Sequence, residues 1–407
     1  MRTHRSKPLV RSPWVGSVAR RAACIDGGDS LHVATNTEQP GEPDAPSALL
    51  RARLMSLVDL EVSNLRCIEH AQLDLTPGVT LVWGGNGSGK TSLLEAVFLL
   101  GRGRSFRTRN NVRLIKRGQS QLRVTGHVRG PTGQERSVGF AASRDETEAR
   151  IGGHPAQSLA ELTQVFPVQA IDPGVHRLIE EGGHRRRRWM DWAVFHVEPQ
   201  FMDLWLRYTR ALRQRNAALR SNPGDAAVWD PELARLGESI AHARGRFMEQ
   251  LMPHWQAVVS ALSGLEVELH YLRGWSQTHS LLEALAATRL RDEARQLTHT
   301  GPHRADVSLR LGGRAAREVL SRGQQKLVAA AMVLAELRLL RETTLTAPSL
   351  LLDDPAAELD GDHLERFIEQ VRALKSQLVV TSLHPESRLF GTPDRAFHME
   401  QGRVQPL

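Results

Sequence analysis

Cysteine is nearly absent: two residues in 407, Cys24 and Cys67, in no paired motif. That excludes a disulfide scaffold and a Cys-based zinc site, and it fits a reducing cytosol. No run of roughly eighteen apolar residues occurs, so no membrane-spanning helix is expected. No heptad pattern persists for about four heptads, which excludes a long coiled coil, and no internal repeat is visible. Lysine is scarce as well. Of 53 basic residues only Lys7, Lys90, Lys116, Lys326 and Lys375 are lysine, leaving 48 arginines. A GC-rich coding sequence accounts for arginine over lysine. The formal net charge of +8 still favours anionic partners, nucleic acid first, because a guanidinium meets phosphate bidentately.

What is present is enough for a large core: 41% of residues are hydrophobic, and the length suggests two or three domains, or one with an insertion. Residues 1–54 stand apart. Their first 21 carry six basic residues and no acid, and Asp26 to Pro46 is polar and Gly/Pro-rich, as in disordered chain. This stretch reads either as a disordered extension or as a mis-assigned start, with Met55 directly before the first strand-like run; an Arg-rich targeting segment is a third reading. From Met55 the pattern is α/β. Leu57 to Val62 and Ala71 to Leu75 alternate as strands, and Val79 to Trp83 is a short apolar run of the buried kind. Lys90 to Leu100 reads as a helix, and residues 103–155 are strand-prone with Gly-rich turns. Residues 185–297 are mostly helical, with Phe201, Leu204, Trp205, Tyr208 and Leu212 on one helix face, and Pro223-Gly224 and Asp230-Pro231 as breaks. The α/β pattern then returns: helices over Gly323 to Leu340 and His363 to Leu374, buried strands over Ser349 to Asp353 and Gln377 to Val380.

Gly84-Gly85-Asn86-Gly87-Ser88-Gly89-Lys90-Thr91 has the spelling of a phosphate-binding loop between a strand and a helix. Glycines let backbone N–H groups curl around phosphate oxygens, and the helix N-terminus adds a positive dipole. Lys90 is then placed for the β- and γ-phosphates of ATP, and the Thr91 hydroxyl for Mg²⁺. Leu350-Leu351-Leu352-Asp353-Asp354 is an apolar strand ending in two carboxylates, with Asp353 expected to hold the metal and Asp354 to activate water. Leu320-Ser321-Arg322-Gly323-Gln324-Gln325-Lys326 precedes a long helix and offers a second anion site at a helix N-terminus.

This last segment resembles the signature of ABC-type ATPases with Arg322 in place of the first glycine. Pro355 to Asp360 resembles their D-loop, and Gln169 sits where their Q-loop glutamine would be. The order of these parts, with Asn64-Leu65-Arg66 ahead of the phosphate loop, resembles the SMC/RecF group of chromosome-maintenance ATPases. Gly103-Arg104-Ser105-Phe106-Arg107, Gln214-Arg215-Asn216-Ala217-Ala218-Leu219 and Gly301-Pro302-His303-Arg304 resemble the RecF family within it, over Met55 to about Glu400. The resemblance implies an ABC-type P-loop ATPase head, residues 55–184 and 298–407, with an inserted mostly helical lobe, residues 185–297, like a shortened coiled-coil arm. It implies that two copies meet head to tail on ATP. One contributes Gly84 to Thr91, Gln169, Asp353 and Asp354, with Gln169 near the metal; the other contributes Ser321, Arg322 and Gly323. Arg66 would touch a phosphate. It further implies binding to single-stranded and gapped duplex DNA, help in loading the RecA recombinase with RecO and RecR, slow ATP hydrolysis as a timer, and a cytoplasmic location.

Some positions carry less. Thr381-Ser382 holds the switch position without a histidine, and His384 is left unassigned. His303 reads as structural or DNA-facing. Arg185 to Arg188 and the stripe Arg207, Arg210, Arg213 are equally phosphate contacts or a solvated face. Competing functions are a nuclease-complex ATPase, a small-molecule kinase, and an ABC-type ATPase acting on a protein assembly rather than on DNA. The first lacks its zinc hook and arm here. A kinase has no use for Ser321 to Lys326, and DNA binding separates the last from the lead reading.

Overall fold

The computed structural model describes residues 55–406 except 109, 345–346 and 386–387. The readings made for residues 1–54 fall outside the described residues. The strands are β1 (Ser56–Leu65), β2 (Ile68–Asp74), β3 (Val79–Trp83), β4 (Gln121–Arg129), β5 (Glu135–Ser143), β6 (Thr147–Ile151), β7 (His154–Pro155), β8 (Val168–Ile171), β9 (Glu268–Leu272), β10 (Asp306–Leu311), β11 (Arg314–Ala315), β12 (Ser349–Leu352), β13 (Leu378–Ser382), β14 (Arg395–Glu400) and β15 (Arg403–Pro406). The helices are α1 (Lys90–Arg102), α2 (Leu159–Val165), α3 (Arg177–Glu180), α4 (Gly183–Val197), α5 (Phe201–Ser221), α6 (Asp230–Ser263), α7 (Leu281–Ala287), α8 (Arg289–Arg295), α9 (Ala316–Val319), α10 (Arg322–Thr344), α11 (Pro355–Glu358) and α12 (Gly361–Leu374).

The central sheet runs β15-β14-β3-β13-β12-β8, parallel throughout except for β15. Its strands are short and apolar because both faces are covered. Alternation along β12 and β13 divides them: Leu351 and Val379 pack with α1 and the antiparallel sheet β2-β1-β4-β5-β6-β7, while Leu350, Leu352, Leu378 and Val380 pack with α4, α6, α10 and α12. α1 therefore sits between two sheets, and nearly all its residues are buried.

α10 is buried on almost every side, so its sequence shows no polar face from Leu327 to Leu337. The span 185–297 is mostly helical but includes β9, which pairs antiparallel with β10 beyond residue 298. Its Trp189 and Phe247 share one core cluster with Val328 and Leu350. The lobe is thus packed continuously onto the helical side of the head rather than around a core of its own. Asp230-Pro231 does not break a helix. It starts α6, where proline at the first turn costs no hydrogen bond, and α6 then runs 34 residues with Pro253 inside it. Among the described residues no helix is long and apolar enough to cross a membrane.

Candidate nucleotide site

Parallel strands β3, β13, β12 and β8 end at the same edge, and the chemistry collects there, as it does in open α/β sheets. The loop Gly84–Gly89 leaves β3 and enters α1. Gly89 takes φ +115°, and a Cβ on it would lie 2.6 Å from Met399 Cε and 2.9 Å from Cys67 Sγ, so only glycine fits. Gly85, Asn86 and Gly87 form an exposed tip, and the buried Ser88 Oγ has no partner. Lys90 Nζ folds back to donate to Gly84 O at 2.6 Å and Gly85 O at 3.0 Å. Burial lowers the Lys90 pKa, while the nearby carboxylates of Asp354 and Asp353 oppose that shift. A phosphate would replace those two loop carbonyls and restore the full charge partner.

The metal side is assembled from three strands. The Thr91 hydroxyl lies 2.8 and 3.0 Å from the two oxygens of Asp353, and Thr381 Oγ1 donates to Asp353 Oδ1 at 2.9 Å. Asp353 is 8% exposed. A hydroxyl and a carboxylate converging on one point are hard oxygen donors, which suit Mg²⁺; that ion completes its shell with water and phosphate oxygens. The residues therefore fit ATP–Mg²⁺. Asp354 takes φ +48°, turning its side chain out of line with that of Asp353. Its amide donates to Thr381 Oγ1 at 2.9 Å, and burial raises its pKa against the pull of Lys90. His384, left unassigned by the sequence, is close enough to act on Asp354's ionisation.

A groove of about 460 Å³ is lined by Asn86 to Ser92, Asp353, Asp354, Cys67, Arg107, Pro173 and Glu358. Three expectations change here. Gln169 does not reach the groove: it lies within β8, is buried, and donates Nε2–H to Glu336 at 2.9 Å. The carboxyl end of β8 beside Asp353 is instead occupied by Asp172, whose pKa is raised by burial and by Asp353. Arg66 does not line the groove either. Its guanidinium forks the buried Glu95 of α1, with Nη2 to Oε1 at 2.9 Å, and Ser105 shares that carboxylate. The arginine on the groove wall is Arg107, 46% exposed and 3.7 Å from Glu95. Its membership in Gly103–Arg107 was the available signal, but no spacing rule links that segment to the phosphate loop.

Ser321, Arg322 and Gly323 are exposed at the start of α10 and do not line this groove. Ser321 Oγ accepts from Gln324 N–H at 3.3 Å while Gln324 Oε1 accepts from Ser321 N–H at 3.0 Å, a reciprocal cap. Lys326 pairs with Glu358 of α11. The arginine run is largely engaged internally: Arg185 with Glu181, Arg186 with Asp306 at 2.9 and 3.0 Å, and Arg187 with the Ala305 carbonyl. Of the α5 stripe, Arg207 pairs with Glu232 at 3.2 Å, and Arg210 and Arg213 are exposed. His303 is structural: its Nδ1 accepts from Tyr208 OH at 2.7 Å and its Nε2 donates to Thr298 O at 3.0 Å.

A P-loop on a buried parallel sheet, a strand-end carboxylate pair and a capped signature helix define an ABC-type ATPase head. The comparisons narrow this. The family described as the RecF/RecN/SMC N terminal domain matches residues 56–402. The DNA replication and repair protein RecF of Pseudomonas fluorescens (strain Pf-5) is 39% identical over 359 residues, covering 86% of this chain and 98% of that one. That of Shewanella sp. (strain MR-7) is 36% identical over 357 residues, covering 86% and 99%. The solved structure of the recombination mediator protein RecF with ATP, in the RecFOR pathway, superposes with a TM-score of 0.78 at 26% identity, over 87% of this chain and 98% of that one. An Smc head bound to the C-winged helix domain of ScpA shares the fold, with a TM-score of 0.53 at 15% identity. The chain belongs to the RecF family.

Proposed function

We propose that this chain is an ATP-gated DNA-binding protein of replication and recombinational repair. It binds ATP–Mg²⁺ through Gly84 to Thr91 and Asp353. It then pairs with a second copy whose Ser321, Arg322 and Gly323 close the groove, and in that state it binds single-stranded and gapped duplex DNA. Asp354 orients and deprotonates the attacking water, and slow hydrolysis reopens the pair. RecO and RecR are its proposed partners in loading RecA at the chromosome in the cytoplasm. The observation that carries this reading is the half-site: the phosphate loop and both carboxylates share one groove, while the capped signature stands exposed outside it. Binding that favours the paired state stabilises the pair by linkage.

The test is binding to gapped duplex DNA with ATP–Mg²⁺ and with ADP, using Lys90→Met as control. Tight binding with ATP alone, lost in Lys90→Met, is expected. Equal binding in all three cases means charge-driven association and removes the gating. No binding points to a protein assembly as the target.

A further inference from the structure

A cleft of about 710 Å³ adjoins the nucleotide groove. The two share the segment Asp172-Pro173-Gly174: Pro173 faces the groove, while Asp172 and Gly174 line the cleft. Arg102, Arg104, Arg185 and Arg188 line it against one acid, Asp172, and Phe98 and Trp189 supply apolar wall.

Arg102 is the unusual member. It ends α1, is 8% exposed, and is held by rings rather than by acceptors: its guanidinium carbon lies 4.8 Å from the Trp192 ring and 5.4 Å from that of Phe98. Its Nη1 has no hydrogen-bond partner. Glu336 acts on it electrostatically, but burial pushes that carboxyl well up, toward its neutral form, and it accepts from Gln169. Arg185 is tied to Glu181. Asn111 Oδ1, also on the cleft wall, is buried without a donor.

A guanidinium taken out of water with an unmet N–H destabilises the fold unless an anion meets it. The planar fork matches phosphate oxygens, and the apolar walls match a flat ring. A cleft of this size with a few convergent polar groups has the character of a small-molecule site. We propose that it binds a phosphorylated ligand carrying a flat ring, the chemistry shared by a free nucleotide and the terminal nucleotide of a DNA strand, with Arg102 as the anchoring cation.

The experiment uses the full chain carrying Lys90→Met, so that the phosphate loop does not report. Deoxyadenosine monophosphate, deoxyadenosine, and a short single strand with and without a 5′-phosphate are titrated by calorimetry and by thermal midpoint. The expected result is binding of deoxyadenosine monophosphate but not of deoxyadenosine, weakened at least tenfold by Arg102→Met and by Arg188→Gln. Preference for the 5′-phosphorylated strand identifies a strand end as the source, and binding of the free nucleotide alone identifies a small molecule. Arg102→Met should keep or raise the midpoint of the ligand-free protein, because an uncompensated buried cation is removed. A fall of several degrees would assign Arg102 a purely structural role and overturn the proposal. So would the absence of binding by both phosphorylated probes, or binding untouched by both substitutions. If Arg102→Met fails to fold, Arg188→Gln decides.

Discussion

Asp353 and Asp354 are neighbours in sequence with different duties, and the backbone separates them. Asp353 is fastened by Thr91 and Thr381, whereas the left-handed turn at Asp354 sends its carboxyl toward Lys90. Asp354→Asn should therefore leave ATP binding intact and lower turnover by about 10²–10⁴-fold, the worth of a positioned base. Asp354→Glu, one methylene longer, should raise turnover; an unchanged rate would remove the argument from side-chain length. The histidines set a pH limit. Burial lowers His303 to about 4 and His196 to about 3, against 6.5 for the ordinary group. A group depressed in the fold stabilises it fully above its unfolded pKa, and that contribution is lost as pH falls through the folded value. Stability should thus decline from pH 6.5 toward 4, with His303 contributing at most about 3 kcal/mol. Urea titrations of His303→Gln should show a shallower decline across that window, and an unaltered slope would mean His303 is not held neutral. At this scale the sequence identified Lys90, Thr91 and Asp353 because their spacing in the loop and strand fixes their chemistry. It misplaced Gln169 and Arg66 because the direction of a side chain depends on the partners packed beside it, Glu336 and Glu95.

Among elements, the segments that carried the family resemblance far from the phosphate loop prove to be joints. Arg215 is fully buried between α5, α6 and α8, donating to Asp230 at 2.7 Å and to Asp292 and Thr298 at 2.8 and 2.9 Å. Asn216 Oδ1 accepts from the Thr298 amide and hydroxyl. The Pro302 carbonyl accepts from the buried Arg244, which also forks Asp191 at 2.8 and 3.0 Å. Removing one partner of such a network strands the other charges. Arg215→Met should cost about 3–5 kcal/mol, read as a fall in the urea midpoint. A loss below about 1 kcal/mol, the worth of an exposed pair, would show the network to be solvated in solution. Strand positions were legible because apolar runs of four or five residues between turns have few other uses. Helix ends were less so: Asp230-Pro231 reads as a break, but proline also serves the first turn.

For the whole molecule, the exposed signature and the open groove make pairing the natural completion of the site. Sedimentation should show one copy without nucleotide and two with ATP–Mg²⁺. Ser321→Arg should still bind ATP yet remain single, since the added side chain projects from the helix start offered to the other copy. Pairing of Ser321→Arg as readily as the native chain would move the interface elsewhere. DNA affinity carried by arginine–phosphate contacts should fall steeply with salt, with Arg210 and Arg213 better placed than Arg186, which is committed to Asp306.

By itself the sequence determined the head class, the phosphate loop with its two acidic followers, and the absence of zinc or membrane-spanning chemistry. Each of these rests on short-range spacing or composition, which survives without knowing the fold. The tertiary structure alone decided that the helical lobe shares the head's core, that Asp172 rather than Gln169 stands beside Asp353, and that Arg107 rather than Arg66 borders the groove. It also brought Arg102 and Arg188, distant in sequence, to one cleft. Those facts depend on which strands lie side by side and which buried carboxylate takes each guanidinium, and both are set by packing between segments far apart in the chain.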